Sequence, residues 1–285
     1  MLNQFAKSCC VIAGIAITTL STTGYAGIFG AMEQSADALQ MARTLSALNA
    51  SSAASSQDGP FIPGAELSGN AIAYGKTYGE WSAEWWKWAL SFPDGMNPVQ
   101  DETGKFCDLG QSGRVWFLAG TFGGSVERSC TIPAGKAIFY PIINTTWVDE
   151  PGDEIFTDEE VRWVLANLTG AGDNACQMSS TLDTYSTPNL GELPAPISAR
   201  LRPAVRSQSP KFSFNFSADN VIGLPVGVND RLIAEGYWVM LPPLTSGEHV
   251  LTLHGAACIE TEDGIEKAFE TEVTYYLTVV PGNRP

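Results

Sequence analysis

The chain has 285 residues, 44% of them hydrophobic, and 31 acidic side chains set against 16 basic ones give a net charge of −15. That length buries a sizeable core in one or two domains. A surface so negative repels nucleic acid and anionic lipid, and it leaves cations, neutral ligands and other proteins as partners.

Residues 1–26 have the build of a secretory signal peptide. Lys7 is their one charge, an apolar run extends from Cys10 to Leu20, and Gly24-Tyr25-Ala26 offers a small-residue exit. The run is too short for a permanent bilayer anchor, and no other stretch reaches membrane-helix length. Cleavage is expected after Ala26, with the product in the periplasm or outside the cell and with no integral membrane segment. Losing Lys7 makes the mature chain one unit more acidic.

Export changes the meaning of the cysteines. Cys9 and Cys10 leave with the leader, and Cys107, Cys130, Cys176 and Cys258 remain. An even number in an oxidising compartment reads as two disulfides, with three possible connectivities. Cys107–Cys130 and Cys176–Cys258 are favoured, because the first pair brackets an expected hairpin. Zinc is not favoured, since there is no C-x-x-C and no nearby His.

Behind the leader, Ala38, Met41, Leu45 and Leu48 step at helical spacing, predicting an amphipathic helix over Ala31–Asn49. "ASSAASSQDGP" follows as a linker, so residues 27–59 form one unit and 60–285 a single β-rich domain. That domain opens with "YGEWSAEWWKWALSFP", which holds four of the eight tryptophans. Thr77 and Glu80 have capping-box spacing and Pro93 stops the helix. Tyr78, Trp81, Trp85 and Trp88 share a face, and Trp86 points elsewhere.

Strands are predicted at Arg114–Ala119 and Lys136–Tyr140, with Gly-rich turning and Cys130 between them. A second helix starts after Thr157, capped with Glu160, carries Val161, Val164, Leu165 and Leu168 inward, and ends at Gly170. In the last third, Phe212, Phe214 and Phe216 alternate, and "LIAEGYWVML" precedes a Pro-Pro turn. "EHVLTLHG" and "AFETEVTYYLTVV" form an antiparallel pair around Asp263-Gly264. In the final strand Phe269, Val273, Tyr275, Leu277 and Val279 face one way and Glu270, Glu272, Thr274 and Thr278 the other. One wet and one dry face mark an antiparallel sheet. The fold class is therefore mainly β, an antiparallel β-sandwich with a few packed helices, its part from about 195 to 285 an Ig-like sheet.

Three blocks, "EWSAEWWKWALSFP", "VWFLAGTFGGSVERSCTIPAGKAIFYPIINTTW" and "GYWVMLPPLTSGEHVLTLHG", resemble those of a family of exported, signal-peptide-bearing bacterial proteins of uncharacterised activity. The resemblance spans roughly Tyr74 to Val279. It implies an exported single-unit fold and assigns no catalytic residues.

Trp81, Trp85, Trp86 and Trp88 suit stacking on a glycan or anchoring a protein partner, while core packing is the plainer role for the striped three. Trp86, off the stripe, is the ligand-contact candidate. Asp149, Glu150, Asp153 and Glu154 offer hard oxygens for calcium, though not in calcium-loop order, and no other cofactor is expected. His249 and His254, five apart on a strand, face opposite sides and would not share a zinc ion. No G-x-S-x-G elbow or phosphate loop is present. Paired carboxylates beside the tryptophans, Glu80 and Glu84 among them, would suit glycoside hydrolysis. Arg200, Arg202, Arg206 and Lys211 form a basic stretch, read as the guard of an edge strand. The expectation is an exported non-catalytic binding or structural protein that recognises a glycan or protein. The alternatives are an extracellular carbohydrate-active hydrolase and a subunit of a surface assembly.

Overall fold

A computed structural model describes residues 11–12, 72–149, 156–172, 174–183, 185–187, 204–261 and 264–281. The expected helix over Ala31–Asn49, the expected linker and most of the expected leader lie outside the described residues. The architecture is mainly β, a sandwich with helices packed on it.

β1 is Val11–Ile12, β2 Ile72–Ala73 and β3 Lys76–Thr77, and α1 is Tyr78–Leu90. Next come β4 (Val115–Phe117), β5 (Gly124–Pro133), β6 (Ala137–Val148) and α2 (Asp158–Leu168). β7 is Ala175–Leu182, β8 Tyr185–Thr187, β9 Val205–Gln208 and β10 Phe212–Phe216. The long strands β11 (Gly227–Leu241), β12 (Gly247–Thr261) and β13 (Gly264–Val280) close the list.

The first sheet is built on the antiparallel pair β6–β11. β1 and β4 lie along the far side of β6, and β9 and β10 along the far side of β11. The second sheet runs β5–β13–β12–β7–β8. Two pairings are parallel, β4 with β6 and β5 with β13, and the rest are antiparallel.

This order corrects two expectations. The Gly-rich segment before Lys136 is a ten-residue strand of the opposite sheet, not a turn, so Cys107 and Cys130 do not bracket a hairpin. The C-terminal third is not one sheet, because β9 to β11 join the first sheet while β12 and β13 join the second.

The two sheets face each other across Ile138, Tyr140, Val239, Leu251, Leu253, Val273, Tyr275 and Leu277. They approach closely at Gly255, where an added Cβ would meet the Ile142 carbonyl oxygen at 2.5 Å, so only glycine fits. β6 skips a residue against β11 between Ile143 and Pro141. Proline, lacking an amide hydrogen, is placed at such a bulge at no cost to the ladder. Both disulfides have the expected pairing, Cys107–Cys130 and Cys176–Cys258.

α1 lies on the outer face of the first sheet, against Phe139, Ala234, Trp238 and Met240. The Thr77 hydroxyl accepts from the Glu80 amide at 3.2 Å, and Glu80 Oε2 accepts from the Thr77 amide at 2.7 Å. These backbone and hydroxyl bonds hold the Glu80 carboxyl below its ordinary range. Thr157 and Glu160 repeat the box at α2, which lays Val161, Val164 and Leu165 on Trp147 and Ile233.

Candidate functional site

The tryptophan helix is a wall of the core. Trp85 donates to the Leu118 carbonyl at 2.9 Å, Trp88 to that of Leu109 at 2.9 Å, and Trp81 to that of Ala73 at 2.6 Å. Trp85 packs edge-on to Trp86, Trp88 and Trp238, and Trp238 stacks on Phe139 with ring centroids 5.2 Å apart. Trp86 corrects the expectation of outward contact: it is 3% exposed and faces the interior with its neighbours. A helix packed on a sheet and flanked by loops is covered over more of its circumference than a three-four stripe describes. Trp81 is half-buried, with Lys76 over its ring. Glu84, beside it, is paired with Lys76 at 3.1 Å and Lys87 at 3.5 Å.

The acidic tract is engaged within the chain where it is described. Asp149 grips Arg231 with both carboxylate oxygens, at 2.7 and 2.8 Å, and accepts from Trp147 Nε1 at 2.8 Å. Arg231 also donates to the Phe156 carbonyl, and Asp158 joins Lys211 at 3.0 Å. The Lys211 hydrogen bond and the two nearby cations hold the Asp158 carboxyl below its ordinary range, and Asp149 raises Arg231. Glu150, Asp153 and Glu154 lie outside the described residues. Among the described residues no three His, Cys, Asp or Glu side chains are grouped to hold a metal. In the basic stretch, Arg206 reaches the buried Glu235 at 2.9 Å and the Ala166 carbonyl at 2.8 Å, fastening β9 to β11 and to α2. Arg200 and Arg202 are outside the described residues.

One charged centre was not legible beforehand. Arg128 on β5 points inward at 2% exposure. Its guanidinium donates to the carbonyls of Asp101, Ala119 (3.0 Å), Gly120 (2.9 Å) and Val99 (3.1 Å), and to Tyr275 Oη at 2.9 Å. Tyr275 donates in turn to the Ala119 carbonyl at 2.8 Å. Burying a cation is tolerable only when its donors are met in this way. The Asp101 side chain is turned away, receiving the amides of Phe106 and Thr103, which outweigh burial and hold its carboxyl low. The adjoining crevice, lined by Trp88, Cys107, Phe117 and Tyr275 among others, is too narrow to admit water. Arg128 therefore pins loops; it does not present a charge to a ligand.

The histidines lie apart as expected. His249 contacts Asp183 at 3.0 Å and the Thr245 carbonyl at 2.8 Å, whereas His254 contacts Glu270 at 2.8 Å. Burial alone would lower His249, but the Asp183 hydrogen bond, the Thr245 carbonyl and nearby negative charge together raise it.

Two outer features remain. On the outward face of the second sheet Tyr276 and Val250 sit directly opposite one another, 43% and 40% exposed. Around them lie Glu127, which accepts from Tyr276 at 3.3 Å, Glu248, which accepts from Thr278 at 2.9 Å, and the Thr252–Thr274 pair. The Glu127 charge pushes the Tyr276 phenol up. The second feature is the edge of β6, where Val11 pairs with Thr146 and Ile12 with Thr145.

No family model matches the chain, and no curated protein matches it. Among solved structures the chain is similar to AggA, the major subunit of aggregative adherence fimbriae type I from Escherichia coli. The identity is 14%, over 53% of this chain and 89% of that chain, and the TM-score of 0.21 is too low to support an assignment.

Proposed function

We propose that the chain is an exported, disulfide-linked binding or structural protein that works through its outer surface and not through an internal reaction centre. One observation carries this reading: Arg128, Asp149, His249 and the indoles of Trp81, Trp85 and Trp88 are met by partners within the protein itself. Three indoles donate to backbone carbonyls, Arg128 meets five acceptors, Asp149 is gripped by Arg231, and His249 by Asp183. Groups held in that way stiffen a body and are poorly placed to move a proton or seize a substrate. The flat face around Tyr276 and Val250 is where an aromatic ring and neighbouring oxygens stand ready for a glycan or protein.

The test is a glycan array and polysaccharide pull-down with mature protein, read for both retention and cleavage. Retention without product, reduced by Tyr276→Ala at unchanged melting temperature, is the expected result. Product release that vanishes when a single carboxylate becomes its amide would establish the hydrolase instead.

A further inference from the structure

His249 sits where three chain segments meet. It lies near the start of β12 beside Glu248, and Leu277 of β13 is directly across from it. The turn after β7 brings Asp183, and the connection from β11 brings the main chain of Thr245. With its side chain 12% exposed, the ring is largely shut off from water.

Both ring nitrogens face an acceptor. Nδ1 is 3.0 Å from Asp183 Oδ2, and Nε2 is 2.8 Å from the Thr245 carbonyl oxygen. A neutral imidazole carries one N–H and would turn a lone pair toward one of those oxygens. Only the imidazolium donates to both. Burial would lower the ring's value, but the Asp183 hydrogen bond, the Thr245 carbonyl and the charges of Asp183 and Glu248 together raise it.

The two acceptors are not held alike. Asp183 is fixed without the histidine: its amide donates to the Val250 carbonyl at 2.6 Å, and its Oδ1 accepts from the Val250 amide at 2.9 Å. Thr245 lies in the connection Pro242-Pro243-Leu244-Thr245-Ser246, which leaves the first sheet at Leu241 and enters the second at Gly247. Pro242 and Pro243 have no amide hydrogen with which to fasten it. Leu244 reaches from it onto the core between the sheets. A ring that gives up one proton keeps its remaining N–H on the carboxylate, the stronger acceptor, and its Nε2 lone pair then opposes the Thr245 carbonyl.

We propose that His249 is a proton-operated clasp on the connection between the two sheets. The imidazolium ties Thr245 to Asp183, and loss of its proton as pH rises releases the connection while the turn after β7 stays in place. The clasp is closed below the ring's transition and open above it, the sign expected of a histidine stabilised as a cation. It acts on the path between the sheets, whichever partner the outer surface takes.

The experiment is nuclear magnetic resonance of the whole chain with both disulfides formed, titrated across neutral pH. His249 and His254 are the chain's two histidines, so His254→Asn assigns the ring signals. Ring nitrogen shifts then report the proton on each nitrogen. The expected result is an imidazolium at His249 that persists above the ordinary histidine value of about 6.5 and then gives a neutral ring protonated on Nδ1. The amide signals of Thr245 and Ser246 should move with the same midpoint, while the Asp183 amide keeps its protection from hydrogen exchange. Asp183→Asn should bring the ring and loop midpoints down together, and the wild-type titration decides by itself if that variant fails to fold. A His249 ring already neutral at its ordinary value, a neutral ring protonated on Nε2, or loop amides that ignore the ring's midpoint would each overturn the proposal.

Discussion

The two sheets bury their strands differently. The first is covered on both faces, by α1 and α2 and by the second sheet, and its central strand "AIFYPIINTTWV" is buried at every position. The second is covered on one face, so β13 alternates, with Val273, Tyr275, Leu277 and Val279 inside and Glu272, Thr274, Tyr276 and Thr278 outside. A sheet wrapped on both sides can be stiffened by large aromatics. A sheet open on one side can present a face. In this protein the indoles serve the first role, and the second sheet keeps Tyr276 and Val250 exposed on its outer face.

The comparison can be broken at Arg128, which ties the loops beneath the wrapped sheet to the open one. Arg128→Met is expected to cost about 3 kcal/mol or more, because it strips the buried carbonyls of Val99, Asp101 and Gly120 of the guanidinium that meets them. Denaturant unfolding would show this, and Arg128→Lys should recover little, since an ammonium cannot span the same fork. Removing the disulfides comes next, and it ranks the open sheet's own bridge above the other. Cys176–Cys258 closes 82 residues and Cys107–Cys130 closes 23. Chain entropy then predicts losses of about 4.5 and about 3.4 kcal/mol as upper figures, with Cys→Ser pairs compared by thermal melting. Trp86→Ala should cost about 3–5 kcal/mol through the cavity it leaves, whereas Tyr276→Ala on the open face should cost little.

Two smaller tests sharpen the contrast. Thr77→Ala removes the α1 cap at a cost of about 1 kcal/mol. The Glu80 carboxyl in that box is held low, so its contribution is present above the unfolded carboxylate range and fades as pH falls through the folded value. His249 has the opposite sign. Its raised folded value makes the contact with Asp183 fully stabilising below the unfolded histidine value, and that gain is lost as pH rises through the folded one. Asp183→Asn should flatten this dependence in melts run across neutral pH.

How much of this could be read from residues alone follows from the same contrast. β13 was legible because alternation records a sheet with one dry face. Both capping boxes were legible because Thr and Glu three apart satisfy helix-end amides locally. β5 was hidden by Arg128. Val126, Cys130 and Ile132 take the inward positions, but a charge at the fourth disguised the period, and the carbonyls that receive it come from distant loops. Trp86 was misread because helical spacing gives directions around one helix and not what surrounds it. The second half of β6 was missed for the complementary reason, since a strand buried on both faces loses its alternation.

The interior placement of Trp85, Trp86, Trp88, Trp116, Trp147 and Trp238 is what the rest depends on. Its most direct test is the native protein's tryptophan emission, measured with iodide quenching before and after unfolding. Blue-shifted emission with weak quenching that rises sharply only on unfolding is the predicted result. Water-like emission, quenched in the native state as strongly as in the unfolded one, would contradict it.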